Sequence, residues 1–238
     1  MGLYWYIMLT LMMAIAGAPA VLATAFLDAN YPSNPINAVV IIVAGLFLGP
    51  TLSAGLYACR ARTKDETPLP TRAFWRGYKM NAADVLRLWL PTCLVVAIIA
   101  FTLGNAATAG IGLAYAIGLI AIASGVTLWG MHALMLATFF TFRSRDIARL
   151  AVYYLGRNRK SSLGVLALII VAGGIVGLVP GGIFALAVAS GLWTGLWWLN
   201  VTAIIADATE RFTADPRPGT SASTRPGSSA HNRPGAPG

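Results

Sequence analysis

Six long apolar runs separated by short polar intervals set the organisation of this chain. They lie near residues 3–27, 36–58, 86–103, 111–142, 163–179 and 183–206. A helix needs about 20 apolar residues to cross a hydrocarbon core of roughly 30 Å, so each run predicts a transmembrane helix. The first reads as a retained span rather than a cleaved signal, because no Lys or Arg precedes Ala16-Gly17-Ala18. Tyr4, Trp5 and Tyr6 then fall where an interfacial aromatic belt is expected. Residues 28–35 (DANYPSNP) form a turn-rich connector. In the second run Gly49-Pro50 predicts a kink, because proline removes one helical hydrogen bond. The fourth run is too long for one upright span, so it is predicted to tilt, break or extend into the cytoplasm, with the helix in its second half.

Two polar intervals carry a helical period of their own. Within 59–89, residues 60–70 contain charges and two prolines and read as irregular, whereas 71–89 is periodic. At 100° per residue, Phe74, Tyr78, Ala82, Val85 and Trp89 fall within an arc of about 80°, opposite Arg72, Arg76, Lys79 and Arg87. Within 143–162, Ile147, Leu150, Ala151, Tyr154 and Leu155 share a face and Arg145 and Arg149 point away. Each is an amphipathic helix that can lie in the membrane interface with its arginines toward phosphates. For the first of them, packing on the protein's own cytoplasmic helix ends is the alternative. Gly173, Gly177 and Gly181, like Ala187, Gly191 and Gly195, recur every four residues. With the Pro180-Gly181-Gly182 turn they predict a close antiparallel hairpin of the last two spans, a homodimer face being the other use of such spacing.

Composition agrees with the pattern: 57% of residues are hydrophobic, 11% are charged, and mean hydropathy is +0.70. So little polar surface does not cover a water-soluble globule of 238 residues. The expected fold is an all-α polytopic bundle of about six transmembrane helices with two basic cytoplasmic interfacial helices, one integral-membrane domain over 1–212. Beyond it, Arg-Pro-Gly recurs at 217, 225 and 233, and residues 213–238 are expected to be disordered. All 17 Lys and Arg fall in 60–87, 143–160 and 211–233. The positive-inside rule then places both termini and both large loops in the cytoplasm. A net charge of +9 in such a chain reports topology and anionic headgroups, not nucleic acid.

Candidate chemistry is sparse. Cys59 and Cys93 lack CxxC spacing and nearby His, which predicts structural thiols and no metal. His132 is the one imidazole inside an apolar run, about ten residues and so roughly 15 Å from Arg143. An intramembrane ionisable group is a functional candidate, but with no buried carboxylate for it a hydrogen bond to a neighbouring helix is the favoured reading. No acid pair, HExxH or phosphate loop occurs, so neither an enzyme nor a cofactor is predicted.

The runs GPTLSAGLYACRAR (49–62), AFWRGYKMNA (73–82) and TFFTFRSRDIARLAVYYLGRNRKSSLGVL (138–166) resemble the YesL-like bacterial membrane proteins, domain of unknown function 624. Phe74, Trp75, Gly77, Tyr78, Lys79 and Asn81 match the family's aromatic-Trp-x-Gly-aromatic-Lys-x-Asn motif. The resemblance spans roughly residues 36–171 and implies an accessory or regulatory role beside a carbohydrate ABC transporter, with its permease or ATPase subunit as partner. The chain itself does not read as the permease, because 81–91 lacks the glycine and spacing of an ABC coupling loop. An independent transporter or channel, using Pro50 and His132, is the competing expectation. There is also a faint internal echo: Arg60-x-Arg62 leads to Phe74-Trp75-x-Gly77, and Arg143-x-Arg145 leads to Tyr153-Tyr154-x-Gly156.

Overall fold

A computed structural model describes residues 2–28, 30–64 and 69–213, and every described element is α-helical. The helices are α1 (Gly2–Thr24), α2 (Pro35–Thr63), α3 (Pro70–Gly104), α4 (Leu113–Phe139), α5 (Ser144–Arg157), α6 (Arg159–Leu178) and α7 (Gly182–Thr213). All but α5 are long and apolar enough to cross a membrane, and they alternate in direction as a polytopic bundle. The repeat tail beyond 213 lies outside the described residues.

Local chemistry starts and stops these helices. Asn34 accepts from the Ile36 N–H at 3.1 Å and Pro35 occupies the first turn of α2, where its missing N–H costs nothing. Asp28 builds the connector before it: its carboxylate accepts from the Tyr31 N–H at 3.1 Å and from Asn34 Nδ2 at 3.2 Å, and its own N–H donates to Asn37 Oδ1 at 2.8 Å. Gly110 (φ 65°) and Gly181 (φ 72°) turn the chain between α3 and α4 and between α6 and α7, in the left-handed region that favours glycine.

Several boundaries differ from the sequence expectation. The amphipathic stretch at 71–89 and the third span are one 35-residue helix, α3, running straight through Pro91. Proline there frees the carbonyl four residues earlier, which belongs to Arg87, a residue on the exposed face of the helix. The fourth run forms one 27-residue helix and does not retreat to its second half. What changes along α4 is burial: residues 128–138 are enclosed, whereas Leu113, Ile117, Ile120 and Ile122 lie open. The first helix ends at Thr24, short of 27, and α2 and α7 reach further than predicted, to Thr63 and Thr213. The last two spans do pack on each other as a hairpin, with Gly164 of α6 against Asn200 of α7, but the four-spaced glycines are not what closes it. Gly173 and Gly177 have open space beside them, and Gly191 and Gly195 receive Thr10 and Tyr6 of α1, not α6.

Two clusters make the core. One gathers Val85, Trp89, Leu134, Met135, Tyr154, Val165, Trp197 and Ile204 from α3 to α7. The other joins Trp5, Leu9 and Met13 of α1 to Ala54 and Ala58 of α2 and to Ala73 and Phe74 of α3. α2 packs most extensively on α3. Gly49 lets the Trp89 indole lie against α2, since a Cβ there would sit 2.6 Å from Trp89 Cδ1, and Trp89 Nε1 donates to the Gly45 carbonyl at 2.9 Å. Pro50 frees the Leu46 carbonyl on that same turn. The Gly49-Pro50 pair therefore marks the main α2–α3 contact.

Candidate functional site

Alternating helix direction brings the end of α2, the start of α3, the end of α4, all of α5, the start of α6 and the end of α7 to one end of the bundle. Every Lys and Arg of the described residues belongs to these segments. The connectors at the opposite end hold one charged residue among those described, Asp28, which is spent on its own turn. The class of protein is thereby defined: a polytopic α-helical membrane protein with one strongly basic end.

The structure divides the motif residues into fasteners and exposed groups. Phe74 is fully buried in the α1–α2–α3 cluster. Gly77 receives the Tyr57 ring of α2, whose Cβ and Cγ would lie 2.7 and 2.8 Å from any added Cβ. Asn81 Nδ2 donates to the Thr138 carbonyl at 3.3 Å and ties α3 to the last turn of α4. Tyr78 is half-buried and tilted against Phe74 at 6.3 Å. In contrast Trp75, edge-on to Phe74 at 5.5 Å, is 38% exposed, and Arg72, Arg76 and Lys79 face outward with it. Arg145 and Arg149 lie exposed on α5, while Ile147, Ala151 and Tyr154 turn inward as the 100° arithmetic predicts.

Other basic-end residues do work that the sequence did not signal. Arg62 lies over Trp5 and Tyr6 at 4.7 and 5.1 Å from the ring centroids, and Arg60 lies over Phe139 at 4.9 Å, so these cations are held on aromatic faces. Between α2, α3 and the extended residues after α4 lies a cleft of about 360 Å³, walled by Arg60, Lys64, Asn81, Asp84, Phe140 and Thr141. Charges of both signs meet there. Tyr154 donates to Asp207 at 2.9 Å and Arg211 Nε lies 2.9 Å from the same carboxylate, which fastens α5 to the end of α7. Burial, then the Asp207 carboxylate, pushes the Tyr154 phenol up to about 12. An Asp one turn before an Arg on a terminal helix was the available signal, but nothing local named Tyr154 as its partner.

His132 is fully enclosed. Its Nδ1 lies 2.9 Å from the Leu128 carbonyl, which only accepts, so Nδ1 carries the proton. Nε2 is 3.4 Å from Ser162 Oγ, and that hydroxyl donates to the Leu155 carbonyl at 3.1 Å. His132 therefore joins α4 to α6 beside the end of α5, and no carboxylate contacts it among the described residues. Cys59 and Cys93 are free and buried in separate clusters. No group of three metal-ligating side chains occurs among the described residues.

No protein-family model matches the chain, and no curated protein or solved structure matches it either.

Proposed function

We propose that the chain is a non-catalytic accessory component of a bacterial cytoplasmic membrane, its basic end and both termini in the cytoplasm, that holds a partner protein at that end. One observation carries this reading: the fasteners of the motif face inward and leave Trp75, Arg72, Arg76 and Lys79 as an exposed aromatic-basic surface on a helix anchored along its opposite side. Aromatic and arginine side chains are the ones that dominate protein interfaces. The positive-inside rule supports the orientation. The partner class, a carbohydrate ABC transporter, rests on the motif resemblance alone. Affinity purification of the tagged protein from mild detergent tests the reading. Transporter subunits are expected to co-purify, and their repeated absence would overturn it.

The competing reading, an independent small-molecule transporter or channel, draws on Pro50 and on His132 within the bundle. Its test is flux in proteoliposomes. Because His132 is enclosed and its Nδ1 is bonded to its own helix, His132→Ala is expected to leave any flux unchanged, which would remove His132 from the mechanism, and no flux at all would sink this reading.

A further inference from the structure

The basic surface of α3 runs along the helix, and its direction selects what binds it. Arg72, Arg76, Lys79, Ala83 and Arg87 are all exposed, and their steps of four, three, four and four residues keep them within an arc of about 80°. They form a seam about 22 Å long at 1.5 Å per residue. Trp75 and Met80 flank it on opposite edges, 38% and 59% exposed. Arg87 is paired with Asp84 at 3.4 Å; Arg72, Arg76 and Lys79 have no acidic partner among the described residues.

This seam belongs to a helix that continues unbroken into a membrane span. The pairs Tyr57–Gly77, Gly49–Trp89 and Gly45–Cys93 keep both halves of α3 antiparallel to α2, itself a single helix, so the basic half does not swing away to lie flat. A span tilts by up to about 40°, so the seam still covers roughly 17 Å along the membrane normal. The headgroup layer on each side is only about 5–8 Å deep, and electrostatic reach in physiological salt is about 8 Å. With Arg87 at the headgroups, Arg72 stands in water beyond them. With Arg72 at the headgroups, Arg87 is placed in hydrocarbon, where a charged side chain is strongly disfavoured. A lipid surface therefore does not reach Arg72 and Arg87 together at any depth.

We infer that the seam seats an acidic amphipathic helix of a partner protein, laid along α3 with carboxylates facing Arg72, Arg76, Lys79 and Arg87 and apolar edges against Trp75 and Met80. The mean step of about 3.75 residues is near the roughly 3.6 of a straight helix, so a straight partner helix can follow the seam, and charges along it set partner choice. This inference rests on the docking reading above and specifies its surface and its partner's chemistry.

The test uses the full chain in nanodiscs of uncharged phosphatidylcholine and two synthetic helical peptides of identical composition. In one the glutamates follow the four-three-eight spacing of the four cations; in the other they are permuted. Fluorescence anisotropy is expected to show the matched peptide binding ~10-fold tighter than the permuted one, with most of that difference lost in Arg72→Glu/Arg76→Glu/Lys79→Glu. The milder Arg72→Gln/Arg76→Gln/Lys79→Gln variant, with unchanged size-exclusion behaviour, controls for folding. Equal binding of the two peptides, or full binding by the variants, overturns the inference. So does a result in which the variants lose only association with anionic phosphatidylglycerol vesicles, which would assign the seam to lipid. Affinity purification separates the two claims. Capture of transporter subunits by wild type and variants alike sinks the seam but keeps the docking reading, whereas no capture by wild type sinks the docking reading.

Discussion

α3 and the pair α5–α6 solve one problem in two ways. Each follows a span directed toward the basic end, each carries a basic amphipathic stretch, and each returns through the membrane. The lengths nearly agree, 35 residues for α3 against 14 and 20 for α5 and α6. The difference is Asn158, which leaves helical geometry at φ −107° and ψ 69° and serves as the end of α5 and the start of α6. At the corresponding join α3 has Ala82, Ala83 and Leu86, strong helix formers, whereas α5–α6 has Gly156 and Asn158 amid Arg157, Arg159 and Lys160. Continuity fixes the charges of α3 along the axis of a span. The break frees α5 from that axis, so Arg145 and Arg149 can meet headgroups in one plane.

The largest expected effect tests whether α3 needs its anchoring. Phe74 is fully buried against α1 and α2, and Phe74→Ala is expected to cost about 3–5 kcal/mol. Hydrogen exchange should show the first turns of α3 opening while α5 stays protected. Equal deprotection of α5 would mean that the two regions are not independent.

A paired glycine substitution sharpens the contrast. Gly77 is closed by the Tyr57 ring, so Gly77→Val is expected to destabilise by about 1–3 kcal/mol through overpacking. Gly156 has nothing within 4 Å, and Gly156→Ala is expected to be neutral or to gain up to about 1 kcal/mol of helix propensity. Thermal unfolding in detergent reads both. This pair also corrects the internal echo, which aligned Gly77 with Gly156 and Phe74 with Tyr153: the buried residues are Phe74 and Tyr154, while Trp75 and Tyr153 face out. The two stretches are offset by one residue and their glycines do different things.

Ser162 is the fastener specific to the broken arrangement, holding the Leu155 carbonyl at the end of α5 beside His132. Ser162→Ala leaves the Leu155 carbonyl short of its donor, at about 1–3 kcal/mol. The loss should appear as faster exchange in the last turn of α5, with α3 unchanged. Protection of α5 equal to wild type would remove Ser162 from that role.

What the sequence made legible, and what it did not, follows from the same physics. Span positions and the buried arcs of 71–89 and α5 are local properties of a 3.6-residue period, and the arcs came out as computed, with Phe74, Val85 and Trp89 inside. The fusion of 71–89 with the third span was not legible, because a proline early in an apolar run reads as a helix start. The carbonyl freed by Pro91 belongs to Arg87, on the exposed face of α3, a placement that the linear pattern does not announce. Glycine spacing announced close approach but not the partner, which for Gly191 and Gly195 is α1, far away in the chain. In α4 uniform apolarity cannot separate the enclosed Leu134 and Met135 from the open Ile117 and Ile120. The cleft at the basic end joins residues of α2, α3, α4, the connector after it and α5, and no spacing rule connects Arg60 with Thr141.

The smallest expected effect bears most directly on the comparison, because it asks whether the break at Asn158 is built in or incidental. Asn158 already sits outside helical geometry, so Asn158→Gly forfeits no helical conformation and is expected to change stability by only a few tenths of a kcal/mol. Ala82→Gly puts the same residue at the matching join of α3, inside an unbroken helix, and is expected to cost about 1 kcal/mol. Measured side by side by thermal unfolding, the two should separate. If instead Asn158→Gly cost as much as Ala82→Gly, Asn158 would be holding α5 in a defined orientation through its own side chain. The freedom assigned here to α5 would then have to be replaced by a fixed angle between α5 and α6.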